Sequence, residues 1–368
     1  MLSYNESLLF YLLRIGLGTE SKYDFTFPEK PDWKFIFKMS SEQGVLAIVF
    51  DGVEYLINNN MISEDMTPPH ALKMQWAMNV MKIEGVYERQ YLLANELADI
   101  YASEGIKTVV MKGIASAVLY PKPNHRPCGD LDCFLLGEYE RGNKIAAEHG
   151  AEVECDYYKH SHVVYKGFMV ENHQFCTAIK GPEKRKIFER NLQQVLRENE
   201  IKPINNTILL SPCPLFNALF LTIHAWTHFT TESISIRHIC DWGILLKHHC
   251  NDIDWNRFIN IVNIRDSKML LFAQCVSIIA HKYIGAPIPH IFKENEKVDD
   301  LVNRMMHSVL YDPRKDPLKD KNFVARKCIR LKNLLVGDWK YNEFSEDNRC
   351  IVIFNKIRNY FCEKNPHL

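Results

Sequence analysis

The sequence has no C-x-x-C pair, although it holds 11 cysteines in 368 residues. An odd count scattered in this way makes neither a disulfide framework nor a thiolate zinc site, and free thiols in that number point to a reducing cytoplasm. Net charge is also missing, because 45 Lys and Arg offset 45 Asp and Glu. No overall field draws the chain to nucleic acid or to an anionic membrane, so any such contact must come from a local patch. There is no run fit to span a membrane. Residues 203–231 are uncharged, but Pro212 and Pro214 break the run and Asn205, Asn206, Asn217, His224 and His228 dilute it, so a buried helix is expected there. Met1-Leu2-Ser3-Tyr4-Asn5-Glu6 lacks a basic segment and meets an acid early, so no secretory leader is expected. G-x-S-x-G, the Walker A pattern and the Rossmann glycine run are absent, which leaves hydrolase, P-loop and dinucleotide chemistries without support. No fixed-period repeat or low-complexity segment is visible.

What is present is an ordinary globular composition, 46% apolar and 24% charged, long enough for two domains or one large one. Residues 1–103 read as a helical region, with helices expected over 7–17, from 32, over 44–58 and, after Pro68-Pro69, over 70–103. The pattern changes at Gly105. Strands are expected at 108–111 and 131–136, helices at 114–120 and 138–149, and a hairpin at 160–165 and 168–175 around Lys166-Gly167. This core, 104–200, ends in a charged helix over 183–199, expected to be exposed. Residues 201–311 return to helices at 214–229, 234–249, 254–263, 267–283 and 295–311. Residues 312–368 form a basic, charged tail with helices. The fold class is α+β, helix-rich overall, with a small mixed sheet between helical flanks.

The chemistry concentrates in two short segments. Asp130 and Asp132 lie one residue apart as the chain enters the apolar run Cys133-Phe134-Leu135-Leu136, so both acids share one face of a strand. Two half-buried acids repel, and a divalent cation removes that cost. Upstream, Lys112-Gly113-Ile114-Ala115 offers a turn whose backbone N–H groups can approach a phosphate. Together these parts suggest metal-assisted transfer from a nucleoside triphosphate.

Here the chain resembles the nucleotidyltransferase superfamily of polymerase-β type, and most closely its bacterial branch of uncharacterised nucleotidyltransferases. The branch's Lys-Gly-x-Ala turn, arginine and Gly-Asp-x-Asp stand here as Lys112-Gly113-Ile114-Ala115, Arg126 and Gly129-Asp130-Leu131-Asp132. The resemblance is strong over about 70 residues and weaker through the helical part to Asp241. It implies that Asp130 and Asp132 hold one or two Mg²⁺ ions, with Mn²⁺ as a substitute, and that an NTP is substrate. It implies a third carboxylate from a later strand. Glu171, in Val170-Glu171-Asn172-His173, is the candidate metal ligand or base where related proteins commonly show Asp-Leu-His, so His173 fits and Glu171 replaces Asp; Glu154 and Asp156 are rivals. Gly113 would admit the phosphates. Lys112 could pair with phosphate or with Asp132, and Ser116 could donate to phosphate or simply occupy a helix position. Arg126 could clasp phosphate in its fork or pair with Asp130.

His224 and His228 are four apart on a predicted helix, but Ala225 replaces the glutamate of H-E-x-x-H, so a zinc protease is rejected. His224, Arg237 and Asp241 are candidates for nucleotide or acceptor binding, against an Arg237–Asp241 ion pair as the plain explanation. Trp226 and Trp242 are expected in the core. Arg326, Lys327, Arg330 and Lys332 form either an anion-contacting patch or a solvated helix face. The expected protein is a cytoplasmic, metal-dependent enzyme that moves a nucleoside monophosphate to an unidentified small-molecule, RNA or protein acceptor. Two competitors stay open: a non-catalytic nucleotide-binding scaffold on the same fold, and a toxin-like enzyme modifying tRNA or protein.

Overall fold

Ser3 starts the first helix by a reciprocal cap: its hydroxyl accepts from the Glu6 N–H at 3.3 Å and its own N–H donates to Glu6 Oε2 at 2.6 Å. The computed structural model describes residues 2–20, 22, 25–180, 182–231, 233–293, 295–311 and 338–347. Helix α1 (Tyr4–Gly16) is followed by α2 (Trp33–Glu42), α3 (Leu46–Asn58) and α4 (His70–Ser103), a 34-residue helix. Asp32 caps α2 by accepting from the Phe35 N–H at 3.0 Å. Helices α1 and α3 pass very closely. A β-carbon on Gly52 would sit 2.2 Å from the Leu12 carbonyl oxygen, and one on Gly16 would sit 2.0 Å from that of Ile48.

The sheet follows. Strand β1 is Val109–Val110, then a single-turn helix α5 (Ile114–Ala117), β2 (Leu131–Phe134), α6 (Tyr139–Glu148), β3 (Glu152–Glu154), and the hairpin β4 (His160–Tyr165) and β5 (Phe168–His173). Lys166 and Gly167 both take positive φ, 49° and 76°, as a tight two-residue hairpin turn requires. Helix α7 (Glu183–Glu198) leads to two short strands, β6 (Lys202–Pro203) and β7 (Leu210–Ser211). The seven strands are ordered β3-β4-β5-β2-β1-β7-β6, with β2/β5 and β1/β7 parallel and the other pairs antiparallel.

Helices α8 (Pro214–Thr231), α9 (Ile236–His249), α10 (Trp255–Arg265) and α11 (Ser267–Ile279) come next; a π-helical turn, Ala280–Ile284, extends α11 and ends at Gly285. Helix α12 (Glu296–Tyr311) and a short α13 (Asp338–Phe344) complete the described chain. Trp226 and Trp242 are buried, as expected. One face of the sheet packs Val110, Leu131, Cys133, Val163 and Val170 against Leu93, Leu97 and Tyr101 of α4. The larger core unites α1–α3 with α8, α9, α11 and α12, so the helical segments on either side of the sheet share one interior. Gln43 joins them: its side chain donates to the Val309 carbonyl at 3.0 Å and accepts from the Ile236 N–H at 3.0 Å.

Several local expectations shift. Helix α5 spans four residues, and β2 stops at Phe134 because Leu136 turns to φ 53°. Helix α7 is not simply exposed: Phe188, Leu192, Val195 and Leu196 are buried, and the buried Glu189 accepts backbone N–H bonds from Cys176 and Thr177, each at 2.8 Å. The basic group Arg326, Lys327, Arg330 and Lys332 lies outside the described residues.

Candidate active site

The sheet register brings the acids together. Asp132 on β2 pairs with Glu171 on the parallel strand β5, and Phe134 pairs with His173. Residues 132, 171 and 173 alternate with the apolar 131, 133 and 170 that face α4, so they occupy the opposite face. Asp132 is 3% exposed. Its Oδ1 is 3.2 Å from His173 Nε2, which is also 3.3 Å from Glu171 Oε2. His173 Nδ1 lies 3.1 Å from the Phe175 carbonyl oxygen, to which it can only donate, so Nε2 is turned to the two acids. Lys112 Nζ is 2.8 Å from Asp132 Oδ2 and 3.1 Å from His224 Nε2. The Lys112–Asp132 contact is an ion pair without hydrogen-bond alignment, and Asp132 Oδ2 is left without a directed donor.

Burial opposes charge on every acid here, yet the environment sorts them. The Lys112 ammonium and His173 hold Asp132 well below the usual carboxylate range. Glu171 is resisted by burial but drawn down to about 2 by its hydrogen bond from His173 and by facing His160. Asp130, half-buried just before β2, is pushed up by burial and by the charges of Asp132 and Glu171. Burial disfavours the cation on His173, but Asp132 and Glu171 raise it above its ordinary value. Four charged groups and an imidazole therefore answer to one another across a small area.

Asp132, Glu171 and His173 each present a ligand atom within 4.8 Å of the others. The two carboxylates of that set, with Asp132 Oδ2 paired only with the Lys112 ammonium, fit a divalent cation. Asp130 stands at the edge of this group, not within it. Gly113 precedes α5 at φ 68° and ψ −111°, a conformation that suits glycine, and a β-carbon there would lie 3.6 Å from the Asp130 carbonyl oxygen. Ser116 is partly buried on α5.

The expected phosphate arginine has a different partner. Arg126 is 3% exposed, and its Nε and Nη2 each donate at 2.7 Å to Asp241, one to each carboxylate oxygen. Tyr120 adds a third donor to Asp241 Oδ1 at 2.7 Å. Arg126 thus pairs with Asp241 and not with Asp130. Arg237, one helical turn from Asp241, donates to the Pro127 carbonyl at 3.1 Å, so the anticipated Arg237–Asp241 pair gives way to a link between the Arg126 loop and α9. A cavity of about 560 Å³, its open mouth included, lies beside these groups. Lys112, Arg126, His224, Arg237, His238 and Asp241 supply its polar lining, and Leu221, Trp242 and Phe272 contribute apolar walls. Burial and the Lys112 ammonium depress His224 well below its ordinary value, and burial beside Arg237 takes His238 to about 3, so both rings are neutral. The cavity meets the acid row through Lys112.

Two residues of the site were missed from the sequence. His160 and His162 sit on β4 opposite His173 and Glu171. The tight turn pairs Tyr165 with Phe168, and counting back along both strands from that pair would have found them.

A model of the family described as uncharacterised nucleotidyltransferase matches residues 29–285. No curated protein and no solved structure matches the chain significantly. Among the described residues, no helix is long and apolar enough to cross a membrane.

Proposed function

The chain belongs to the uncharacterised nucleotidyltransferase family, and from that premise we propose that it moves a nucleoside monophosphate from an NTP to a hydroxyl or phosphate acceptor, with Mg²⁺ held by the carboxylates of Asp130, Asp132 and Glu171 and with His173 orienting the last two. The observation that carries this is the register pair Asp132–Glu171 on adjacent parallel strands, faced by Lys112 and the Gly113 turn. The cation, when bound, neutralises triphosphate charge and orients it for in-line attack. The protein groups do the rest. Gly113 lets the backbone approach phosphate oxygens without a side chain in the way. Lys112 is a mobile point charge that can leave Asp132 for a phosphate. Glu171 and Asp132 are ionised at neutral pH and ready to ligate. The acceptor oxygen bonds to the α-phosphorus, the α–β anhydride bond breaks, and pyrophosphate leaves. Arg126, locked to Asp241, shapes the site and lines the cavity. The cavity behind Lys112, lined by both polar and apolar side chains, is the place for the acceptor.

The test is pyrophosphate release from each NTP with Mg²⁺ and a cell extract. Asp130→Asn and Asp132→Asn should each lower the rate by more than the roughly 10–100-fold that loss of a supporting residue costs at a metal site. Unchanged rates in both variants would overturn the assignment. One observation favours a second reading, a nucleotide-binding protein without catalysis: Lys112 already neutralises Asp132 at 2.8 Å. Calorimetry separates the two, because tight NTP binding that ignores Mg²⁺ and yields no pyrophosphate belongs to the binder.

A further inference from the structure

His160 and His162 alternate along β4, so both face the same side of the sheet as Glu171 and His173. The ring centroids of His160 and His162 are 5.0 Å apart, and Tyr157 meets His160 edge-on at 4.9 Å. His160 Nε2 lies 3.4 Å from Glu171 Oε2, and His162 Nε2 lies 3.9 Å from Glu171 Oε1. These separations are long for N–H···O hydrogen bonds. The first is close to the distance of about 3.3 Å that tetrahedral coordination with metal bonds of roughly 2.0–2.1 Å sets between neighbouring ligand atoms, and the second is longer, so the partly exposed His162 ring would move inward to ligate. The buried His160 Nδ1 has no hydrogen-bond partner, so nothing on the protein fixes that ring through its far nitrogen. All three ligand atoms fall within 4.8 Å of one another.

We propose that His160, His162 and Glu171 form a second cation site, one that takes a nitrogen-preferring divalent transition metal of the Zn²⁺ class. Two imidazoles and one carboxylate suit Zn²⁺, Co²⁺ or Ni²⁺, whereas Mg²⁺ takes oxygen donors. Three protein ligands leave a coordination position open, and the partly exposed His162 places it on the solvent side. The site goes beyond the nucleotidyl-transfer proposal and shares only Glu171 with it, whose two oxygens face the two histidines separately. It makes β4 a histidine-lined extension of the acid row.

The experiment uses the full chain, stripped with a chelator and titrated with Co²⁺, whose visible absorption reports nitrogen ligation and coordination number. Wild type should take up Co²⁺ with intense bands of a four- or five-coordinate ion, yield it to Zn²⁺, and keep it in millimolar Mg²⁺. His162→Gln should fold, since that side chain is 34% exposed, and should weaken Co²⁺ binding at least tenfold. The double variant His160→Gln/His162→Gln should abolish the spectrum. Asp130→Asn separates the two proposals, because it should keep the Co²⁺ spectrum while losing pyrophosphate release. A second readout guards against a variant that misfolds: in wild type, the ring ¹⁵N resonances of His160 and His162 should move with Zn²⁺ and stay with Mg²⁺. Equal Co²⁺ binding by wild type and the double variant would overturn the site and move the metal elsewhere, for example to the His224, His228 and His238 group. Absence of Co²⁺ bands in wild type, or Mg²⁺ displacing Co²⁺, would overturn it as well.

Discussion

Arg126 and Asp241, 115 residues apart in the chain, meet through two parallel hydrogen bonds of 2.7 Å with both side chains almost wholly buried. The pair fastens the loop that precedes the acids to helix α9. Burial disfavours both charges, but each offsets the other's cost: Asp241 is held below the usual carboxylate range and Arg126 well above its own. Asp241→Ala would leave a guanidinium buried without a counterion, and the expected loss is about 3–5 kcal/mol of unfolding free energy. Asp241→Asn keeps some hydrogen bonding and should lose less. Denaturant melts of the three proteins check the order, and equal midpoints would show that the buried pair contributes nothing.

Gly113→Ala adds a methyl where the nearest atom is the Asp130 carbonyl oxygen at 3.6 Å, an ordinary contact. The penalty is conformational, because φ is 68° and ψ −111°. A destabilisation on the order of 1–3 kcal/mol is expected. NTP binding should weaken as well if the turn receives phosphate. Thermal melts with and without NTP measure both effects.

Gly52→Ala tests a different constraint, the approach of α1 to α3. The new β-carbon would lie 2.2 Å from the Leu12 carbonyl oxygen, and backbone cannot yield as a flexible side chain does. The helices must separate, so a loss above the typical range of about 0.5–3 kcal/mol is expected. Gly85→Ala, where nothing lies within 4 Å, is the control and should be neutral or stabilising.

His125 gives the pH dependence. Its ring bridges Asp51 of α3 at 2.7 Å and Glu84 of α4 at 2.9 Å. Burial disfavours the cation, but the two carboxylates raise its pKa above the ordinary 6.5. A raised folded value means the bridge's contribution is complete below about pH 6.5 and fades as pH climbs through the folded value. The stability gap between wild type and His125→Gln should therefore be wider at pH 6 than at pH 9, by roughly 1 kcal/mol for the charged part of the hydrogen bonds. A gap that widens with rising pH would refute the bridge.

The acids and the turn were legible in the sequence because each is a contiguous signal. Asp130-Leu131-Asp132 sits at the mouth of an apolar run, and Lys112-Gly113 ends one. Long helices such as α4 showed through their periodicity and through Pro68-Pro69 before them. The two-residue strand β7 did not, because it joins the sheet only where the Leu210 N–H donates to the Thr108 carbonyl at 3.0 Å, a bond between distant segments, and its other partner is the equally short β6. The partner of Asp241 was equally hidden. Arg237, one turn away, was the natural local choice, whereas Arg126 reaches Asp241 only after the loop folds over α9. The π-helical turn at Ala280–Ile284 reads as plain helix until tertiary contacts intervene, with Thr19 donating to the Ile284 carbonyl at 2.5 Å.

The interior shared by the earliest and latest helices has a consequence during synthesis. Phe10 packs on Tyr283 with ring centroids 5.1 Å apart, and Lys247 donates to the Leu17 carbonyl at 3.0 Å. A ribosome adding about 5–20 residues per second leaves the leading helices waiting roughly 10–50 s for those partners. Through that interval their greasy faces stand bare to the cell, a natural target for a holding chaperone, and slowing translation across α9 to α11 would lengthen the wait.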